Sequence, residues 1–273
     1  MPAKARRKGH AMSLNEARRR LREAAQETWL LGPSIEATAS WLGGMPQGHI
    51  GGDWPYWDGE PLDFIGQLDL SELNSVGGPD WLPQSGVLQF FYDCKQRGWG
   101  LDPAKKGSWV VRFRPGTEPE GVTLPPPDAC TPFPVRPVVF VPEVSWPTTA
   151  RIALGDLALS EHDLDALFEP FELLGEQRHR VGGWPEPIQA DIMEEQCQCA
   201  SQGIPVLEPD RLPPHADRAL GAGANDWRML LQVDCDPDLH MEWGDGGRLY
   251  FWIREDDARN GRFGESWMIL QSF

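Results

Sequence analysis

The chain of 273 residues has no run of about 20 consecutive apolar residues, which argues against a bilayer-spanning helix. Its basic N-terminus leads into "MSLNEARRRLREAA" rather than an apolar core, so no secretory signal is legible. It also lacks a cysteine framework. Cys94, Cys130, Cys197, Cys199 and Cys235 are odd in number and irregularly spaced, as expected for a protein of a reducing compartment. The expectation is a soluble cytoplasmic protein. Basic residues are scarce outside the N-terminus: of 25 Lys and Arg and 41 Asp and Glu, residues 1–30 hold eight and three, which leaves 17 against 38. A body this acidic repels phosphate backbones, which disfavours nucleic acid as its partner and suits a basic protein.

What the chain has in quantity is Gly (29), Pro (26), Trp (13) and Phe (11), so long helices are interrupted while bulky apolar surface is plentiful. The fold expected is α+β and β-rich: one sheet-based domain with internal duplication and a few peripheral helices. Residues 1–35 form a basic segment and a helix over about 14–30, with Ser13 and Glu16 as a capping box. The body, 36–273, divides into halves of about 36–114 and 150–273. Between them lies a stretch, 115–147, with ten prolines, expected to be a rigid connector or an edge. "GVLQFFYD" (86–93) and "SWVVRFRP" (108–115) read as strands, and 160–175 and 191–203 as helices.

An internal echo supports the two halves. "GGMP" (43–46), "FIGQLD" (64–69) and "GVLQFFY" (86–92) recur in order as "GGWP" (182–185), "MLLQVD" (229–234) and "GRLYFWI" (247–253). In the last pair, apolar residues fill both strand faces, which requires cover on both sides.

Candidate chemistry is thin. "DCDPDLHMEWGD" (234–245) spaces Asp234, Asp236, Asp238, Glu242 and Asp245 in a way that suggests a calcium loop. Its sixth position is Leu239, where such a loop needs Gly, so calcium is a weak possibility and no other cofactor is expected. "CQC" at 197–199 lacks zinc spacing. In "HRVGGWPEPIQ" (179–189), His179, Trp184, Glu186 and Gln189 could line a pocket, whereas the shared Gly-Gly-x-Pro serves a turn. "GGDWPYWDGEP" (51–61) offers Trp54 and Trp57 among carboxylates, a composition suited to an interface.

These same stretches, with "WLGGMP", "LLQVDCD", "WGDGGRLYFWI" and "RFGESWMILQSF", resemble the YwqG-like family, a bacterial domain of unknown function, over roughly residues 40–273. The resemblance implies a duplicated β-rich fold with no catalytic residues to carry over, with some members placed near bacterial toxin systems as candidate immunity proteins. The expected function is therefore a non-catalytic, protein-binding module, with neutralisation of a basic toxin domain as one form of it. The alternative is a small-ligand site or enzyme around His179, Trp184, Glu186 and Asp245.

Overall fold

The computed structural model describes residues 14–47, 53–116, 125–148, 151–152, 159–160, 162–163, 167, 179–220 and 223–273. Of the expected helix over 160–175, only four residues fall within these, and Ser13 lies outside them.

Helix α1 covers 14–23, where Arg19 pairs with Glu16 and Glu23 on the exposed face while Ala17 and Leu21 pack on Ile152 and Leu167. It ends earlier than the expected residue 30. From Gln26 the chain is strand β1 (Gln26–Pro33), because Trp29 and Leu31 alternate inward and all eight residues pair with β8. Sheet pairing over a long register outweighs the helix propensity of the preceding residues.

In chain order the remaining strands are β2 (Trp41–Leu42), β3 (Tyr56–Trp57), β4 (Glu60–Pro61), β5 (Asp63–Asp69), β6 (Val87–Tyr92), β7 (Trp109–Arg114), β8 (Arg136–Ser145), β9 (Arg180–Val181), β10 (Trp227–Asp234), β11 (Arg248–Arg254) and β12 (Trp267–Gln271). Helices are short: α2 (Leu70–Ser75), α3 (Met193–Ser201), α4 (Asp217–Leu220) and α5 (Glu255–Arg259). Strands β3 and β4 form a hairpin, and the other ten make one antiparallel sheet in the order β12-β11-β10-β9-β1-β8-β2-β5-β6-β7.

The sheet curls until its ends nearly meet. The Trp109 ring of β7 packs edge-on against Trp267 of β12 with centroids 5.0 Å apart, and Trp109 Nε1 donates to the Ser266 carbonyl at 3.0 Å. Within the curl, Phe90 of β6 meets Phe251 of β11 at 5.2 Å. Near-closure removes most of the exposed edge that a ten-stranded sheet would otherwise present.

The proline-rich stretch does not behave as a connector. It supplies β8, the longest strand, in the middle of the sheet between β1 and β2. Leu31 gives its N–H to the carbonyl of His179, just before β9, so β1 bonds β8 through Leu30, opposite Val141. Pro142 is one place on, with its nitrogen turned from β1 to the side where β8 pairs β2 only at Arg136 and Pro137. A central strand tolerates a proline whose missing donor faces no ladder.

Matching positions across β1 and β8 make matching bonds. The β5–β6 register shifts between Phe64 and Gly66, and the β10–β11 register between Met229 and Leu231. Gln67 Oε1 accepts the Gln47 N–H at 3.1 Å, and Gln232 Oε1 accepts the Glu186 N–H at 3.0 Å. Gln89 Nε2 donates to the Gln47 carbonyl, as Tyr250 Oη donates to that of Glu186.

Candidate functional site

The stretch 179–190 is a strap pinned across the outer face of β9 to β12. After two residues of β9 the chain turns at Gly182 and Gly183, with φ of 66° and 73°, conformations that side chains disfavour. Thr28 Oγ1 donates to the Val181 and Gly182 carbonyls, and Ser145 Oγ accepts the Trp184 N–H at 2.8 Å. With Pro185 and Pro187 the strap cannot pair as a strand, so side chains from the sheet satisfy its backbone. Gln271 Oε1 accepts from Ile188 and Gln189, and Gln271 Nε2 donates to the Ala190 carbonyl. Gln189 thus serves the strap through its backbone.

His179 and Glu186 are absorbed into a buried charge network. His179, 4% exposed, accepts the Asp234 N–H on Nδ1 at 3.1 Å, and its Nε2 lies 3.1 Å from Asp236 Oδ2. Nδ1 is therefore the acceptor and Nε2 carries the proton given to Asp236. Asp236 also pairs with Arg136, and its Oδ1 accepts the N–H groups of Asp238 and Leu239. Burial opposes its charge, but the hydrogen bonds from His179 and Arg136 prevail and hold its carboxyl well below the usual range. Glu186 pairs with Arg180 and Arg248, and Arg248 bridges on to Asp234 at 3.0 Å.

The acids read as a calcium loop do not converge. Asp234 and Asp236 are committed to arginines, Asp238 is 86% exposed, and Glu242 and Asp245 point to solvent. Among the described residues no three or more His, Cys, Asp or Glu are grouped to hold a metal ion. The thiols offer no nucleophile: burial pushes all five up, Cys130 to about 11, so each is protonated near neutrality.

Trp54 and Trp57 do not form an open aromatic surface. Trp54, 8% exposed, donates Nε1 to the Leu62 carbonyl and packs edge-on against Phe91. The Trp57 ring lies under Gly107, where an added Cβ would fall 2.8 Å from it. Both wedge the β3–β4 hairpin against the sheet.

A concave feature lies beside the strap. A cleft of about 620 Å³ is walled by Trp29, Trp81, Trp184, Trp227 and Trp252, with the Gly182-Gly183 turn on one side and Glu194 and Glu195, in the first turn of α3, on another. Of the candidates named from sequence, only Trp184 reaches it. Its indole Nε1 donates to the Ala24 carbonyl at 2.6 Å and the Arg151 guanidinium covers one face, 4.7 Å from the ring centroid. Arg151 is itself held by Asp191 and by both oxygens of Glu194 at 2.8 Å. Glu195 is half-buried, and burial pushes its carboxyl up. Volume and aromatic walls are of the kind that bind small groups or side chains. The abundance of Trp hinted at such a wall, but its members come from three strands and two loops and only folding brings them together.

No curated protein matches the chain. One family model covers residues 40–272, from β2 to the end of β12 and so the strap and nearly the whole sheet, and the chain therefore belongs to the family described as Domain of unknown function (DUF1963).

Proposed function

We propose that this protein is a non-catalytic binding protein of the cytoplasm, and that the Trp-walled cleft is where it binds. The cleft carries the reading: about 620 Å³, aromatic walls and carboxylates, with Arg151 and the strap fixed by hydrogen bonds before any partner arrives. Such prior order lowers the cost of binding. The acidic body favours a basic protein partner, and neutralising a toxin domain is one use of that pairing. The alternative centred on His179, Trp184, Glu186 and Asp245 has less support. His179 is spent on Asp234 and Asp236, and only Trp184 borders the cleft.

The test is affinity capture with the wild-type chain and with Asn225→Trp, which places a bulky ring at an exposed lining position. A partner retained by the wild type and released by the variant is expected. Equal retention by both, or consumption of a co-purified small molecule, would overturn the reading.

We further propose that the two sets of strands descend from one duplicated unit, and that the family is the YwqG-like one. The paired bulges and the Gln67 and Gln232 bonds support the first, and the motifs shared with that family support the second.

A further inference from the structure

The charges lining the cleft are unevenly matched. Arg151 is neutralised by Asp191 and Glu194, and Arg228 by Glu255 at 2.8 Å. Glu195 forms no ion pair or hydrogen bond with another described residue. Glu27 and Asp80 add two exposed carboxylates to the lining, Asp80 standing 3.6 Å from Arg259. The surplus is negative and faces aromatic rings. A second, independent gap lies in the wall: Trp252 is 1% exposed, and its indole N–H has no acceptor among the described residues.

We infer that the cleft binds a basic amino-acid unit, an ammonium or guanidinium group on an alkyl stem beside a carbonyl, with Glu195 as its counter-ion. This rests on the reading of the cleft as the binding site. A half-buried carboxylate that feels Arg151 only through its charge, with no ion-pair partner of its own among the described residues, gains from a charge-assisted hydrogen bond with an arriving donor. The apolar stem of Lys or Arg packs on Trp edges without leaving a polar group unpaired. The Trp252 N–H, without an acceptor among the described residues, calls for one, which a bare polyamine lacks and an amino-acid carbonyl supplies. An anion would meet Glu195 uncompensated, because both cleft arginines are already paired.

The experiment is titration calorimetry on the full chain with N-acetyl-arginine amide and N-acetyl-lysine amide, the neutral N-acetyl-norleucine amide, and spermidine. Saturable binding of a cationic amide is expected, with the norleucine probe at least about tenfold weaker and Glu195→Gln weakening the cationic probes about tenfold. Equal binding of the norleucine probe overturns the proposal and needs no variant to be made. So does a Glu195→Gln chain, shown folded by its thermal transition, that binds as the wild type does. Tighter binding of spermidine than of either amide overturns the amino-acid part. If Asn225→Trp releases the captured partner while no cationic probe binds, the cleft stands as the binding site and its ligand class is rejected. If the cationic amides bind while capture ignores Asn225→Trp, the proposed function fails and the ligand class stands.

Discussion

Phe90 and Phe251 meet edge to face with ring centroids 5.2 Å apart, each fully buried, one from β6 and the other from β11. They lie on strands seven places apart in the sheet order, so their contact measures how completely the sheet curls on itself. Truncating either to Ala should cost about 3–5 kcal/mol through lost burial and the cavity left behind. The double variant should cost less than the sum by about 1 kcal/mol, the share that belongs to the ring pair. Chemical denaturation of the four proteins checks this; strict additivity would mean the rings touch without depending on each other.

Gln232 supplies the acceptor for the Glu186 N–H, and no strand partner is available to replace it. Gln232→Ala should therefore leave a strap donor unpaired and destabilise by about 1–3 kcal/mol. Amide exchange at Glu186 should accelerate more than exchange in the core of β11. Uniform acceleration across the sheet would show that the strap does not open by itself.

Asp236 has its carboxyl held low in the folded state, although burial works against it, by the hydrogen bonds from His179 and Arg136. A depressed acid adds stability that is fully present above its ordinary value of 3.8 and is lost as pH falls towards its folded value. Wild-type stability should fall as pH drops below about 4. Asp236→Asn should unfold more easily at neutral pH by about 3 kcal/mol, since Arg136 loses its partner, and should show a shallower acid slope. An unchanged slope would place the acid sensitivity elsewhere.

The sequence made some of this legible. Strands β6 and β7 follow from their β-branched and aromatic residues, and α3 lies within its expected range, because these elements obey local rules. The central position of β8 was hidden by its prolines: whether Pro142 is tolerated depends on which side of the strand lacks a partner, and that is a property of the sheet. The same holds for the site. His179 and Glu186 looked reactive because their sequence neighbours are turn residues, whereas Arg136, Asp236, Arg180 and Arg248 that occupy them are remote or of ordinary type. Glu195 is not legible in the sequence because an acid in the first turn of a helix is commonplace, and only the folded wall shows that it has no ion-pair partner among the described residues.

The glycines of the strap separate two costs that a sequence motif merges. Gly183 has φ of 73°, and an added Cβ would stand 2.3 Å from Ser145 Oγ, 2.8 Å from Thr28 Cβ and 3.0 Å from the Glu27 carbonyl. Gly59 has φ of 82° with nothing within 4 Å of that position. Ala at Gly59 should cost about 1 kcal/mol, the penalty of left-handed backbone alone. Ala at Gly183 should cost about 3 kcal/mol or more, because Thr28 and Ser145 must shift, and they are the groups that hold Gly182 and Trp184 at the cleft. Thermal unfolding compares the two, and the Trp184 environment can be followed by fluorescence in the same samples. Equal penalties would mean that the motif is kept for backbone conformation only; a larger loss at Gly183, with altered fluorescence, would tie the turn to the shape of the cleft.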